Sequence, residues 1–119
     1  MYVKLEELFS YRQYDDAPIE YYFDRKRYAI VDRSAVLHSS QEHYERYVPL
    51  YQINEQELQE DYIVHWNNKK LLFDYRHRSV CFEAFLQERA LWNDWWEYYV
   101  KRVRQIAIDW CKENRISYK

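Results

Sequence analysis

The sequence predicts an α+β fold in which a small antiparallel sheet of two to three strands packs with a C-terminal helical bundle ending in one long helix. Short aromatic runs bounded by polar turns indicate strands near residues 19–31 and 47–51. From residue 54 onward, capping patterns precede apolar residues at helical spacing. With 119 residues, 48% of them hydrophobic, the chain has the size of one domain. We predict a single domain, 1–119, with a helix-plus-strand half (1–53) and a helical half (54–119).

The first half begins with a predicted amphipathic helix over residues 4–14. It ends before Pro18, because a proline disfavours helix at the residue that precedes it. A hairpin follows, since residues 19–24 alternate in polarity and residues 28–31 are β-forming. The polar turn between these strands contains no glycine, which predicts a loop of more than two residues.

A capping box then predicts a short helix, since Ser39 precedes Glu42 by three residues and the helix would run to about Arg46. Residues 47–51 are predicted to form a third strand. Pro49 has no N–H to donate to a sheet, so this strand is expected at an edge.

The second half is predicted to be helical throughout. Asn54 opens a helix that places Leu58, Tyr62 and Trp66 at four-residue intervals. Two asparagines are expected to stop it, because Asn tolerates the left-handed conformation. Two shorter helices are predicted next. The first follows Asn67 and Asn68 and spans residues 69–76. The second is capped by Ser79 and carries Phe82, Phe85 and Leu86 on its apolar side.

The final helix, residues 92–114, is the clearest predicted element. Six apolar side chains fall within about 40° of one line along it and are predicted to face the core. They are Trp92, Trp96, Tyr99, Val103, Ile106 and Trp110.

The chain contains no glycine. Glycine-rich phosphate loops and the dinucleotide-binding fingerprint are therefore excluded, because both need backbone to approach phosphate closely. We expect Asn, Asp and Ser to occupy the positions of positive φ. Cys81 and Cys111 lie in aromatic, helix-like stretches and are predicted to be free, buried thiols of a reduced compartment. No apolar run approaches the ~20 residues of a membrane span, so we expect a cytoplasmic protein without membrane contact.

Charge is unevenly distributed along the chain. Residues 1–66 carry seven Lys/Arg and thirteen Asp/Glu, whereas residues 67–119 carry eleven and seven. This asymmetry is compatible with docking onto a charged partner. We favour the other explanation, which is attraction between the two halves within one fold.

The residue pattern from Phe82 to the end of the chain resembles that of a known family. The residues that carry it are Phe82, Phe85, the run Trp95-Trp96-Glu97-Tyr98, residues 106–110, Asn114 and Ile116, with residues 21–24 and 47–50 in the first half. In this spacing the chain resembles uncharacterised protein family 0158, a group of small bacterial proteins without an assigned activity. Lys26, Arg78 and Arg115 stand at or near places where family members carry glycine. The resemblance implies the fold class, the compartment and a bacterial or phage origin, and it implies no catalytic residue.

Residue spacing gives no sign of a catalytic or metal site. The four histidines and two cysteines form neither an HExxH nor a CxxC pattern. Cys81 next to Phe82 is more typical of a packing thiol than of a nucleophile. The best carboxylate candidates are expected to cap turns or face water, and they are Asp15, Asp16, Asp24 and Asp32. We therefore predict a protein that is not an enzyme and that has no catalytic residues, cofactor or metal.

Two binding hypotheses remain open. Leu91, Tyr98 and Ile108 lie off the predicted core line of the long helix and form a candidate surface for another protein, of unknown identity. The alternative is a nucleic-acid-binding accessory protein, in which the basic hairpin turn supplies the charge and its flanking tyrosines supply stacking. The candidate contacts are Tyr22, Arg25, Lys26, Arg27 and Tyr28. A sequence pI near 6.1 favours the protein partner. The sequence does not predict the oligomeric state.

Overall fold

The computed structural model describes residues 1–37, 43–65, 69–77 and 81–119. The elements in chain order are α1 (Leu5–Ser10), β1 (Gln13–Tyr14), β2 (Tyr21–Asp24), β3 (Ala29–Asp32), α2 (Arg33–Leu37), α3 (His43–Arg46), β4 (Tyr47–Pro49), β5 (Gln52–Ile53), α4 (Glu55–His65), α5 (Lys69–Arg76), α6 (Phe82–Glu88) and α7 (Trp92–Glu113). The predicted α+β class is confirmed. Within the described ranges, no helix combines the length and the apolar character needed to cross a membrane.

The contacts between residues divide the chain into two compact units. The first comprises Met1–Ile53 and Val103–Lys119, and the second comprises Asn54–Arg102. Helix α7 contributes its residues through Arg102 to the second unit and the remainder to the first.

The predicted hairpin and edge strand are present in the first unit. Strand β2 pairs antiparallel with β3, where Phe23 lies opposite Ile30, and antiparallel with β4, where Phe23 lies opposite Val48. The order is β3-β2-β4, so β4 is at an edge and its Pro49 is exposed, as predicted. A separate parallel pair, β1 with β5, was not predicted.

Helix α1 is shorter than the sequence indicates. The predicted helix over residues 4–14 ends at Ser10, and Gln13 belongs to a strand instead. The reason is tertiary: the buried carboxamide Oε1 of Gln13 accepts hydrogen bonds from the backbone N–H groups of Glu20 (2.8 Å) and Tyr21 (3.0 Å). These bonds hold residue 13 extended beside β5, which helical periodicity does not reveal.

The core of the first unit is built on Trp110. Its ring meets those of Phe23 and Tyr51 edge-on, with centroids 6.1 and 6.3 Å away, and its Nε1–H donates to the Pro49 carbonyl at 3.0 Å. The Tyr51 hydroxyl donates to the Leu8 carbonyl at 2.6 Å, and burial raises the pKa of this phenol. Trp110 and Tyr51 therefore each satisfy their polar atom inside the unit.

The core of the second unit is an aromatic cluster around Tyr62, which is only 1% exposed. The Trp95 and Tyr98 rings each lie 5.2 Å from the Tyr62 ring, and Phe82 lies 4.8 Å from Trp95. The Tyr62 hydroxyl donates to Asp94 Oδ2 at 2.6 Å. The predicted helices of this unit are observed, and the Asn54 side chain caps α4 by accepting from the Glu57 N–H at 2.9 Å. The predicted capping residues Ser39 and Ser79, together with Trp66, Asn67 and Asn68, lie outside the described residues.

The predicted core line of α7 is wrong at Trp92 and Trp96 and correct at Tyr99, Val103 and Trp110. Trp92 and Trp96 are 49% and 55% exposed, whereas Trp95, which the prediction left off the line, is 8% exposed. Five buried residues follow a four-residue spacing, namely Trp95, Tyr99, Val103, Ala107 and Cys111, and Trp110 is buried beside this line. Four residues turn a helix by about 400°, so the buried line advances about 40° at each step and winds around the helix. A straight line fitted over the whole helix therefore places Trp92 and Trp96 inside and leaves Trp95 outside.

Positive φ angles fall on residues that the sequence does not suggest. We expected Asn, Asp or Ser at such positions, but in the described ranges they are Tyr28, Ala90 and Arg115, with φ of 54–55°. Ala90 ends α6: its N–H donates to the Gln87 carbonyl, and the Leu91 N–H donates to Leu86. Arg115 ends α7 in the same way. This pair of backbone hydrogen bonds requires a residue in the left-handed conformation, whatever its side chain.

Trp95 and Trp96 are adjacent residues of one type, and the structure predicts opposite consequences of their removal. Trp95→Ala empties the centre of the aromatic cluster and is expected to lower the free energy of unfolding by about 3–5 kcal/mol. Trp96→Ala is expected to cost less than about 1 kcal/mol, because much of its ring already faces water. Chemical denaturation of both variants measures the difference; equal losses would show that the helix phase described here is incorrect.

Ala90→Gly is expected to raise stability by about 0.5 kcal/mol. Glycine removes a left-handed penalty of about 1 kcal/mol, and the greater freedom of the unfolded chain offsets part of the gain. Ala84→Gly is the matched control, since Ala84 is an exposed interior residue of α6 and its loss should destabilise the helix by about 1 kcal/mol. Denaturant melts that move in the same direction for both variants would contradict the assignment.

Candidate interaction surface

Two tryptophans and a valine form an exposed line on the first half of α7. Trp92 (49% exposed), Trp96 (55%) and Val100 (39%) are separated by four residues each and therefore lie on one side of the helix. We refer to these three residues as the tryptophan stripe. All three belong to the second unit.

The buried neighbours of the stripe fix its orientation. The Trp95 N–H donates to the Leu91 carbonyl at 2.8 Å, at the start of α7. The Trp95 ring packs against the Phe82 and Tyr62 rings. Each successive residue turns a helix by about 100°, so burying Trp95 rotates Trp96 away from the core. The Trp96 ring stacks against buried Tyr99, with centroids 5.7 Å apart and planes inclined by 26°. The remainder of the side chain is largely exposed.

One border of the stripe carries exposed polar residues. Asn93, Glu97 and Lys101 each follow a stripe residue in sequence and are exposed. Glu97 and Lys101 lie one turn apart and have opposite charges. The other border consists of the buried residues Trp95 and Tyr99, each of which precedes a stripe residue in sequence. The stripe is thus an apolar line between the core and a charged margin.

The predicted protein-binding residues Leu91, Tyr98 and Ile108 are half-buried in the structure. Tyr98 packs against the Tyr62 ring and lies beneath the Arg102 guanidinium, 5.9 Å from its ring centroid, and burial raises its pKa. Leu91 and Tyr98 belong to the second unit, whereas Ile108 belongs to the first. The structure therefore gives Tyr98 a packing role, and an interaction through these three residues stays a prediction.

The hairpin turn of the nucleic-acid hypothesis is organised by Asp24. This buried carboxylate accepts two hydrogen bonds from the Arg46 guanidinium, both 2.9 Å long, and bonds from the backbone N–H groups of Lys26 (2.9 Å) and Arg27 (3.3 Å). The bond from Arg46 is the largest of the effects that lower the pKa of Asp24, and desolvation opposes it. Tyr28, in the left-handed conformation, closes the turn by donating its N–H to the Asp24 carbonyl at 2.7 Å.

Two of the five predicted nucleic-acid contacts have partners within the first unit. The Arg25 guanidinium donates to the Asn114 carbonyl at the end of α7 (2.8 Å), and the Tyr28 hydroxyl bonds the backbone of Ser117. Lys26 and Arg27 are exposed, and Tyr22 is half-buried in β2. A shallow depression of about 330 Å³ beside the turn is lined by Arg25, Lys26, Glu45 and Arg46.

Cys81 is exposed, and the prediction of a buried thiol at this position is wrong. It is not an inward-facing residue of α6 but the residue preceding that helix, where its Sγ donates to Glu83 Oε2 at 3.0 Å. This hydrogen bond is the main reason that the pKa of Glu83 is lowered. Cys111 is buried and free, as predicted, and burial raises its thiol pKa to about 11. Burial thus disfavours the thiolate form of Cys111.

The candidate carboxylates in the sheet and its turns have local partners. Asp24 binds Arg46, and Asp32 caps α2 by accepting from the Ala35 N–H (3.2 Å) and the Ser34 hydroxyl (2.6 Å). Asp15 and Asp16 are exposed in the turn after β1. Across residues 1–37, 43–65, 69–77 and 81–119, no three His, Cys, Asp or Glu side chains are grouped closely enough to hold a metal ion.

Comparison with family models, with curated proteins and with solved structures found no match to this chain. The resemblance to uncharacterised protein family 0158 therefore stays a prediction.

The sequence contains the signal for the tryptophan stripe, but in an ambiguous form. Two neighbouring lines of apolar residues run along α7 at four-residue spacing, one beginning at Trp92 and the other at Trp95. Only the second continues as an apolar line through Val103, Ala107 and Cys111. The greater length of the line that begins at Trp95 indicates that this line is buried and that the line that begins at Trp92 faces outward.

Asp24→Ala is expected to lower the free energy of unfolding by about 3 kcal/mol, because Arg46 and two turn N–H groups lose their acceptor. The pKa of Asp24 is lower in the folded state than its ordinary value of 3.8. The stability that it contributes is therefore present above that value and is lost as the pH falls below it. Melts from pH 7 to pH 2 should show a weaker acid dependence for Asp24→Ala than for the unmodified protein.

Asp32→Ala is the control, since Asp32 is an exposed cap whose loss should destabilise the protein much less than the loss of Asp24. A similar small loss in both variants would contradict a structural role for the Asp24–Arg46 pair.

Proposed function

We propose that this protein acts by binding another protein through the tryptophan stripe, in an accessory or regulatory role and without catalysing a reaction. The observation that carries the proposal is the exposure of Trp92, Trp96 and Val100 on one side of α7. Membership of family 0158 and a cytoplasmic location belong to the same proposal and rest on the sequence alone.

The physical argument concerns the area and the rigidity of the stripe. A tryptophan side chain buries roughly 150–250 Å² when it is covered, so two half-exposed rings in adjacent turns offer a substantial apolar area. Tryptophan is enriched among the residues that dominate binding energy at protein interfaces. The Trp96 ring contacts the buried Tyr99 ring, and a ring that is partly ordered before binding loses less conformational freedom when a partner covers it.

The candidate reactive groups support a non-enzymatic role. Asp24 and Asp32 stabilise a turn and a helix end, and Cys81 donates to a neighbouring carboxylate. Catalytic groups are typically poised in a cleft with a pKa matched to a reaction. The lowered pKa values of Asp24 and Asp32 are accounted for by partners within the fold.

Trp96→Glu is expected to abolish partner capture while leaving the fold intact, because it places a charge in the proposed interface and removes little from the core. Affinity capture from the source cell, followed by binding measurements with the purified partner, would test this. Phe73→Glu is the matched control, since Phe73 of α5 is 59% exposed and lies in the same unit. Retained binding by Trp96→Glu, with loss in the control, would refute the stripe as the contact surface.

The nucleic-acid alternative is supported by the exposure of Lys26 and Arg27 at the hairpin tip. If it holds, the double variant Lys26→Glu/Arg27→Glu should weaken binding to all single-stranded sequences about equally and should flatten the salt dependence. These two residues are better test positions than Arg25, whose guanidinium holds the end of α7. Binding of the unmodified protein that does not respond to salt would count against this alternative.

A further inference from the structure

Helix α5 and the residue that follows it present one continuous exposed side to solvent. Five exposed residues fall within about 120° around the helix axis, since each residue turns the helix by about 100°. We refer to them as the α5 face, and they are Lys69, Lys70, Phe73, Arg76 and His77. The opposite side packs into the second unit, where the Tyr75 hydroxyl donates to Gln59 Oε1 at 2.6 Å. The α5 face is thus a property of the helix phase.

An aromatic pair occupies the middle of the α5 face. The Phe73 and His77 rings are stacked, with centroids 3.9 Å apart and planes inclined by 28°. The His77 Nδ1 atom lies 2.8 Å from the Phe73 carbonyl oxygen, and a protonated Nδ1 donates a hydrogen bond across this distance. Phe73 is 59% exposed. The pair therefore offers aromatic surface against which a further flat ring can stack.

Cationic side chains surround the aromatic pair. Lys69 and Lys70 are exposed, and neither forms an ion pair with a carboxylate among the described residues. Arg76 is partly neutralised, because its Nε lies 3.6 Å from Glu60 Oε1. The one acidic residue of α5, Asp74, is half-buried and lies off the α5 face. Two lysine charges beside a stacked aromatic pair are thus open to an anionic ligand that carries flat rings.

We propose that the α5 face binds single-stranded nucleic acid, with a base stacked on the Phe73–His77 pair and neighbouring phosphates held by Lys69 and Lys70. Proteins that bind single strands combine cations along the backbone with aromatic rings on which bases stack. The site shares no residue with the tryptophan stripe, and the hairpin of the nucleic-acid alternative belongs to the first unit. This inference goes beyond the proposed function and does not depend on it.

An anionic membrane surface fits the same charges less well. Helices that lie on membranes bury an apolar face, and their affinity grows with the apolar area that they bury. Phe73 is the only apolar aliphatic or phenyl side chain of the α5 face, since Leu71 and Leu72 are half-buried on other sides of the helix. One exposed ring is enough to stack with one base, but it is a small area for insertion into lipid.

Fluorescence anisotropy with a labelled thymidine oligonucleotide of about eight residues tests the site. Binding is expected at the weak end of non-specific affinities, with a Kd of about 10⁻⁴ M at physiological salt. The logarithm of the binding constant should fall with the logarithm of the salt concentration with a slope of about −1.4, because two neutralised phosphates contribute about 0.7 each on a single strand. A uridine oligonucleotide of the same length distinguishes RNA from DNA as the source.

The stacking contact is tested on both partners. Phe73→Leu keeps an apolar side chain but removes the ring, so it is expected to weaken binding about tenfold, whereas Phe73→Trp should bind at least as tightly as the unmodified protein. An abasic strand of the same length keeps the phosphates and should also bind about tenfold more weakly. Circular dichroism verifies that each variant is folded. Trp96→Glu should bind the oligonucleotide normally, so the stripe and the α5 face can fail independently.

The phosphate contacts are tested by neutral substitutions of the lysines. Lys69→Gln and Lys70→Gln should each reduce the magnitude of the salt slope by about 0.7, because each removes one phosphate contact. Lys101→Gln is the matched control, since Lys101 is an exposed lysine of α7 in the same unit, and it should leave the slope unchanged. The hairpin variant Lys26→Glu/Arg27→Glu should likewise leave oligonucleotide binding unchanged.

Four outcomes would overturn the proposal. The first is that neither oligonucleotide binds in a salt-sensitive way. The second is binding that Phe73→Leu leaves unchanged or that the abasic strand reproduces, since no base then stacks on the ring. The third is loss of binding in the hairpin variant with full binding in the lysine variants, which would assign the contact to the hairpin. The fourth is sedimentation with anionic phospholipid vesicles that Phe73→Leu retains, in the absence of oligonucleotide binding, which would identify a membrane surface as the ligand.

Discussion

The four-residue spacing of buried side chains along α7 determines which side chains of this helix face solvent. In the second unit, the buried residues of α7 are Trp95, which lies in the Tyr62 cluster, and Tyr99, four residues later. The tryptophan stripe faces outward as a consequence, because Trp95 occupies the inward position. The proposed interaction surface is thus a consequence of helix phase, and any change that rotates α7 within the second unit would alter core and surface together.

A glycine-free backbone imposes a second constraint. Turns that end α6 and α7 and that close the hairpin need a left-handed residue, and Ala90, Arg115 and Tyr28 accept that conformation at a cost of about 1 kcal/mol each. Tyr28 has a compensating contact, since its ring meets Phe23 edge-on at 5.0 Å. Backbone hydrogen bonds at both helix ends satisfy carbonyls that would otherwise lack a partner. The fold thus tolerates strain where the chain must turn.

Local signals in the sequence identified most elements, and tertiary contacts account for the errors. The hairpin, the edge position of Pro49 and the span of α5 follow from alternation, proline chemistry and helical periodicity, which act over a few residues. Local periodicity predicts a helix at Gln13, but this residue is held in a strand by hydrogen bonds from residues seven and eight positions away. The predicted phase of α7 is wrong for a similar reason, since the choice between two apolar lines depends on what packs against them. The candidate surface could therefore be derived only once burial was known.

Exposure of two tryptophans has a physical cost that bears on function. Single exposed apolar residues are common and need no explanation, but aromatic rings in consecutive turns of one helix form a continuous apolar area. Replacing Trp96 with a polar residue would remove that area at little cost to the core, so folding does not require the residue at this position. The buried Tyr99 ring contacts the Trp96 ring, with centroids 5.7 Å apart, and this contact partly orders Trp96. An exposed apolar ring that is partly ordered in advance favours binding, since less conformational entropy is lost when a partner covers it.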